Sequence, residues 1–492
     1  RTSNIGELMP INSFLYPGAK VVTPYEVANS LRFNDDDSPS LTRTQSSSPT
    51  HDDKGTLSFW FKIGNLSSGD GQYFFSVFTD SNNRMQMLLQ SDNTLKLIQK
   101  TGGSTVINLV TNREFRDVSA WYHLVLACDS SQGTASNRIK IYINGVQETS
   151  FSTETYCNQN VDIQLVKGTA VSLGAYNSGA SDFFDGYLAE MVLVDGQQLA
   201  QTSFGEFDDD TPNVWKPIDV TGLTFGTNGF YLDFEDSSSL GNDAAGSNNF
   251  TVNNLAATDQ STDTCTNNGC TWNILYRSGA TFSQGNLVYT APSSNPVFGS
   301  LTTFGVTKGK WYAECKYHAG SNHYGILGVA DEVFATLDDL GSATNTDLGK
   351  HTAGPTDCTI AYVINTGAYR NNNNNTSWGS GGGDGDIINI ALDRDNRKVY
   401  FGVNGTYGNS SNPASGSNGI DLSSLVTGDT YFLGVTNDTG ASETVLDFNF
   451  GGGFGQTAVS SGNSDANGYG NFEYAVPSGF YAWNSKNLAE FG

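Results

Sequence analysis

Positive charge is scarce in this chain. Lysine and arginine number 25 among 492 residues against 50 acidic residues, giving a formal net charge of −25. Nucleic acid and anionic membrane surfaces both require a basic footprint, so both partner classes are excluded. The acidic excess reads as solubility at high copy or in salt water, with cation-binding loops as its other use. Charged residues of either sign reach only 15%, well below the roughly 25% of an ordinary soluble domain. No apolar run approaches the ~18 residues of a membrane span, so no membrane insertion is expected. No charged-then-apolar signal segment opens the chain. It starts at Arg1 rather than Met, as expected where an upstream piece has been removed or left out.

Cysteine and histidine are also sparse. The six cysteines (Cys128, Cys157, Cys265, Cys270, Cys315, Cys358) form no CxxC pair and no zinc spacing. Cys265 and Cys270 bracket TNNG and could close a small disulfide loop in an oxidising compartment, the alternative being free thiols. Cys128 and Cys315 fall in LVLACD and YAECKY and read as small core residues. The five histidines make no ligand pair, since a turn separates His318 from His323. GxSxG, HExxH and Gly-rich phosphate loops are missing.

What the chain has in quantity is 56 glycines and 12% aromatics, including 29 Phe and 22 Tyr. Such an aromatic load is too high for a disordered polar chain. In DGDIINIALDRDNRKVYFGVNG (384–405), Ile388, Ile390 and Leu392 alternate with smaller or polar neighbours. Asp393, Asp395 and Asn396 then make a turn, and Val399, Phe401 and Val403 alternate again up to Asn404-Gly405. The period of two predicts a half-buried β-hairpin. RIKIYING (138–145) repeats the pattern through Ile139, Ile141 and Ile143. Two such hairpins, far apart in a chain with room for two or three domains, predict two β-domains.

Short strands separated by turn signals fill the rest. GTLSFWFKIG (55–64), YFFSVF (73–78), RMQMLLQS (84–91), TLKLIQK (94–100), WYHLVLACD (121–129), VSLGAY (171–176) and GYLAEMVLVDG (186–196) belong to the first region. SLRFNDDDSPSLTRT (30–44) predicts strand, acidic turn and strand, and 220–255 predicts two closing strands around a polar loop. QQLAQTSF (197–204) is the one stretch that suits a short helix. GKWYAECKYH (309–318), CTIAYVI (358–364), TYFLGVTN (430–437), TVLDFNFG (444–451) and GFYAWN (479–484) continue the pattern in a second region. The expected division is an arm or connector at 1–28, a sandwich at 29–255, a linker at 256–279 and a second sandwich at 280–492. The fold class is all-β, two antiparallel jelly-roll sandwiches in tandem. Asn371–Asn375 running on through TSWGSGGGDGD, and the Gly-rich stretch 451–470, are expected as mobile surface loops.

The order GTLSFWFKIG, AWYHLVLACD, RIKIYINGVQ and LGAYNSGASDFFDGYLAEMVLVDG resembles laminin-G/concanavalin-like sandwiches across roughly 30–255. GKWYAECKY, YGILGVAD, GDIINIALDRDNRKVYFGVNG, YFLGVTN, VLDFNFG and PSGFYAWN resemble a SPRY domain from roughly 280 to 485. The whole arrangement is similar to structural proteins of tailed phages, especially marine ones. SLRFNDDDSPSLTRT, LAEMVLVDGQQL, GFYLDFEDSSSLGNDAAGSNNFTVNNL and DTCTNNGCTWN carry that similarity, although Cys265 and Cys270 depart from it. The resemblance implies a virion location, on a tail appendage or capsid surface, with other virion proteins as partners.

Candidate sites follow from residue chemistry. Glycan-cleaving sandwiches pair carboxylates in E-x-D-x-x-E on one strand. EFDDDT (206–211) ends in Thr211, DFEDSS (233–238) lacks the outer Glu, and Glu190 and Asp195 are wrongly spaced. No enzyme is therefore expected. Some laminin-G-like domains hold Ca²⁺ at one rim with carboxylates and carbonyls, and Asp182 and Asp185 after the Tyr176-Asn177 loop could do so. Solvated turn residues are the plainer reading, and FNDDDS (34–39) is a comparable acidic cluster. Trp378, in an Asn/Gly loop with Asn375, could stack on a sugar face, with Tyr176 and Asn177 as further ligand contacts, or could tuck into its own sandwich. Trp60, Trp121, Trp311 and Trp483 read as core. The sequence thus predicts a self-associating virion component that adheres to host-surface glycans. A decoration protein binding only virion subunits and an extracellular carbohydrate-active enzyme are the rivals.

Overall fold

Alternating Leu57, Phe59, Phe61 and Ile63 set the first half's architecture. All four are buried between two sheets, and Phe61 meets Phe74 of the facing sheet at a ring distance of 4.6 Å. In this computed structural model the described residues are 24–45, 47–66, 69, 71–276, 280–291, 298–318, 325–335, 348–349, 358–437 and 444–492. Most of the expected arm at 1–28 lies outside them.

Among the described residues, strands in antiparallel sheets dominate and form two concanavalin-like sandwiches. In the first, Lys54–Ile63 is flanked by Tyr122–Asp129 and Gly186–Asp195. Ile139–Ile143 and Val146–Gln147 extend one side, turning at Asn144-Gly145 with φ +49° and +78°. These positive angles explain why Asn-Gly closes the hairpin. Ser30–Phe33 pairs with Gly186–Asp195, while Ser40–Thr44 pairs with Ala170–Leu173 in the facing sheet. The acidic turn between them, Asp35–Asp37, is therefore the corner where the chain crosses sheets. Phe230–Leu232 and Thr251–Asn253 close one sheet each, as their sequence predicts.

The second sandwich sets Lys310–His318, Ile387–Asp393 and Lys398–Val403 against a sheet containing Gly325–Asp331, Thr359–Val363 and Tyr431–Asn437. Asp393 opposes Lys398 across the predicted turn. The strands of this hairpin are buried on both faces rather than half-buried. Ile388, Ile390, Leu392 and Phe401 enter the inter-sheet core, while Ala391 and Tyr400 pack against Phe472, Phe480 and Ala482. The C-terminal segment therefore supplies a third layer that strand periodicity alone does not reveal.

Several expectations are corrected. The helix expected at 197–204 is a single 3₁₀ turn, Gln201–Ser203, and a helix lies at Ser485–Phe491, capped by the Asn484 side chain. Ser104–Glu114 and Phe151–Thr155 are strands that the sequence reading passes over. The Asn tract is a hairpin rather than a loose loop: Ala368–Asn371 pairs with Asn374–Ser377 around left-handed Asn372 and Asn373. The Gly-rich stretch after Phe450 is pinned by side chains. Asn449 Oδ1 accepts from the backbone of Gly451 and Gly453, and Asp447 from that of Gly455 and Gln456.

That pinned stretch is half of the joint between the sandwiches. Arg32, 1% exposed, donates to the carbonyls of Phe454, Gly455 and Thr258 and to Asp259. Tyr187 donates its hydroxyl to Gly285 O at 2.9 Å, and Asn286 Nδ2 reaches Gly64 O at 2.6 Å. Segment 256–271 is folded into this joint: Gln260–Ser261 pairs with Ser30–Phe33, and Gly269 bridges Asn484.

Candidate functional site

The chain between Leu173 and Gly186 forms one rim of the first sandwich. Gly174 starts it at φ +74°, where a Cβ would lie 2.4 Å from the Phe33 ring, so only glycine fits. Tyr176 stacks on Tyr73 at 5.0 Å, and its backbone N–H donates to Ser181 O, closing a small loop in which Asn177 is left-handed at φ +49°. Asp182 follows at the rim, with Ser181 donating to its carboxylate at 2.7 Å. Asp185 lies deeper, 4% exposed, its backbone oxygen accepting from Gly64 and its backbone nitrogen donating to Gln72 Oε1.

Four of the sequence candidates therefore share one loop, with Asp182 lining the rim cavity and Asp185 buried deeper. The partner of Asp185 is Asp35, from the acidic corner. Burial, and then the neighbouring Asp35 charge, push the Asp185 carboxyl well above the usual range. Asp35 is raised as well, chiefly by burial, and hydrogen-bonds to Asp185. Two carboxyl groups in that contact resist being ionised together. Above them lies a polar cavity of about 210 Å³ lined by Asp35, Asn65, Leu66, Gly71, Gln72, Asp182 and Phe183. A hard cation seeks oxygen ligands of this kind. Among the described residues no group of three or more His, Cys, Asp or Glu is set to hold a metal. The two carboxylates would thus need amide, carbonyl or water oxygens to complete a Ca²⁺ shell.

Trp378 and Asn375 belong to the second sandwich, apart from that loop in the fold. Trp378 is not an open platform: it is 6% exposed and its Nε1 donates to Phe401 O at 2.9 Å. A Cβ on Gly408 would lie 2.4 Å from the indole, so the ring is covered by backbone. Asn375 is exposed on the Asn374–Ser377 strand. Beside Trp378 lies a cavity of about 450 Å³ that sequence reasoning missed. Its floor is the stacked pair Tyr362 and Phe401, 4.8 Å apart, and Ser380, Thr406, Tyr407 and Asn409 line it. No charged residue lines it; both rings are buried, at 1% and 0% exposure, so the accessible lining is made of the hydroxyl, amide and backbone groups of Ser380, Thr406, Tyr407 and Asn409. The only available signal was the glycine spacing at Gly379, Gly402 and Gly408, which lets strands and loops approach closely.

Two isolated buried carboxyl groups were also missed. Glu190 sits in a bulge at φ +50° and accepts from the Tyr25 and Tyr231 hydroxyls; burial pushes it up to about 7. Glu314 accepts from Tyr312 Oη and from the backbone of Glu473 and Tyr474, and burial likewise raises it to about 7. Cys265 and Cys270 are free thiols and are not bridged to each other.

No curated protein matches the chain. Among solved structures, the SPRY domain of human HERC1 is 17% identical, with 36% of this chain and 96% of that one covered at a TM-score of 0.27. Mouse laminin alpha1 domains LG4-5 are 11% identical over 89% of this chain and 93% of that one, at 0.28. A putative carbohydrate binding protein from Bacteroides ovatus is 14% identical, covering 47% and 59%, at 0.32. Residues 35–201 match the family described as the concanavalin A-like lectin/glucanases superfamily, which is the fold the first sandwich adopts.

Proposed function

We propose that this protein is a non-enzymatic virion structural component that adheres to host-surface glycans. The observation that carries the glycan reading is the match of residues 35–201 to a lectin/glucanase superfamily. The uncharged cavity of the second sandwich supports it, because its accessible hydroxyl and amide groups are of the kind that hydrogen-bond sugar hydroxyls. The similarity of SLRFNDDDSPSLTRT, LAEMVLVDGQQL and DTCTNNGCTWN to tailed-phage structural proteins supports the virion location. Self-association with copies of itself and contact with other virion subunits belong to the same reading.

Carboxylate geometry supports binding over cleavage. Glycoside cleavage needs two carboxyl groups about 5 Å or more apart, flanking one bond. Asp35 and Asp185 are in direct hydrogen-bond contact, closer than that, while Glu190 and Glu314 are held by tyrosine and backbone donors. Ca²⁺ at the Asp35–Asp185 pair would neutralise the two charges and order the rim.

The test is a glycan array with the full chain, with and without Ca²⁺, alongside gold-labelled antibody imaging of particles. Saturable glycan binding and label on the particle surface are expected. Depolymerisation of a polysaccharide would overturn the non-enzymatic reading. Particle labelling without glycan binding would leave the decoration role instead.

A further inference from the structure

The joint between the sandwiches brings a buried carboxylate and a half-buried carboxamide onto one buried ammonium. Lys62 Nζ donates to Asp263 Oδ2 at 2.8 Å, Asn268 Oδ1 at 2.9 Å and Gly269 O at 3.0 Å. The Lys62 side chain is 1% exposed and that of Asp263 5%. The Tyr187 ring lies 5.8 Å from Nζ, and Trp121 Nε1 and Gly269 N hold Asp263 Oδ1, each at 2.9 Å. The Asn268 carboxamide is fixed from its other end, where Nδ2 donates to Ser119 O at 2.7 Å.

We propose that Lys62 and Asn268 join through an intramolecular isopeptide bond, with Asp263 as proton carrier. Asp263 takes one proton from the ammonium, leaving an amine with a free lone pair. Nζ attacks Cγ of Asn268 and opens its C=O bond. Asp263 then delivers its proton to Nδ2, the Cγ–Nδ2 bond breaks, and ammonia leaves as the carbonyl re-forms. The surplus proton on Nζ departs with the ammonia. An ammonium and a carboxamide thus become a secondary amide and an ammonium ion, and Asp263 ends as the carboxylate it began as. No oxidant or co-reactant takes part. Enforced proximity replaces an encounter of two weak reactants, which is where the rate comes from.

The placement gives the bond a mechanical role. Lys62 lies on Lys54–Ile63 at the centre of the first sandwich, and Asn268 adjoins Gly269, which bridges Asn484 of the second. A covalent strap there holds the two sandwiches together when force or solvent opens the joint.

Intact-mass and tandem mass spectrometry of the full chain, fresh and after incubation, test this. The expected result is a mass lower than that of the sequence by one ammonia, with a branched peptide joining Lys62 to Asn268. Asn268→Ala, at a half-buried position, restores the sequence mass, and Asp263→Asn slows joining by about 10²-fold or more. An unchanged wild-type mass overturns the proposal without reference to any variant. So does an ammonia loss that maps to a succinimide at Asn268-Gly269 with Lys62 free.

Discussion

Tyr231 donates its hydroxyl into the Glu190 carboxylate, 3.0 Å from each oxygen, and Tyr25 adds a second donor at 3.0 Å. The glutamate occupies a left-handed position in a strand bulge, an arrangement that costs backbone energy unless its surroundings hold it. Burial raises this carboxyl from 4.5 to about 7 despite both donors. The folded state therefore favours the protonated form more than the unfolded chain does. The group's contribution to stability is full below the ordinary carboxylate range and declines as pH rises towards about 7. Glu190→Gln removes the ionisation, and the variant is expected to gain on wild type between pH 5 and pH 8 by on the order of 3 kcal/mol. Urea denaturation at the two pH values measures this, and an identical pH slope in both proteins would contradict it.

The acid pair at the rim titrates in the same sense. Asp185 is raised well above its usual value and Asp35 is raised with it, so ionising both destabilises the corner as pH rises. Ca²⁺ is expected to relieve this, lifting the melting temperature at pH 8, with EGTA reversing the effect. Asp185→Asn is expected to melt higher than wild type in EGTA and to lose its response to Ca²⁺. Equal Ca²⁺ shifts in the two proteins would place the ion elsewhere.

Trp378 separates a structural role from a ligand-binding one. Its indole is buried and its nitrogen anchors Phe401 O, so Trp378→Ala is expected to cost about 3–5 kcal/mol through the cavity left behind. Loss of glycan binding by that variant would then say little about contact. Thr406, exposed at the neighbouring cavity, is the better probe. Thr406→Trp fills the space and is expected to abolish saccharide binding while leaving the melting temperature within a degree or two of wild type. Binding undiminished in Thr406→Trp would remove that cavity from the glycan reading.

Strand identity was legible wherever alternation was strong, as in Leu57–Phe61 and Ile388–Leu392, because one face of each strand meets an inter-sheet core. It failed for Ser104–Glu114, whose exposed ends and many Thr and Asn residues dilute the apolar signal of Ile107 and Leu109. The second buried face of the 384–405 hairpin was illegible, since it depends on Phe472 and Phe480 arriving from far along the chain. For the candidate site, the sequence placed Tyr176, Asn177, Asp182 and Asp185 on one loop but did not reveal that Asp35 contacts Asp185. Asp35 reaches Asp185 only because the corner crosses from one sheet to the other. Spacing along a chain carries no information on such long-range contacts, and Lys62, Asp263 and Asn268 are a further case.

Arg32 is where the two-sandwich arrangement can be tested as a single unit. Its guanidinium serves Thr258 O, Asp259, Phe454 O and Gly455 O from a fully buried position, so one side chain links strand Ser30–Phe33, the crossing segment and the Gly-rich stretch. Arg32→Met keeps most of the volume but leaves three carbonyls and a carboxylate without their donor. Removing one partner of a buried ionic network typically costs about 3–5 kcal/mol, because the remaining groups stay out of water unpaired. The loss falls on the joint rather than on either inter-sheet core, since Leu31 and Phe33 on the same strand still face inward. Urea unfolding of the variant is therefore expected to separate into two transitions, and limited proteolysis to cut first within 256–280. A single transition at the wild-type midpoint, with that segment still protected, would mean that the remaining joint contacts suffice without Arg32.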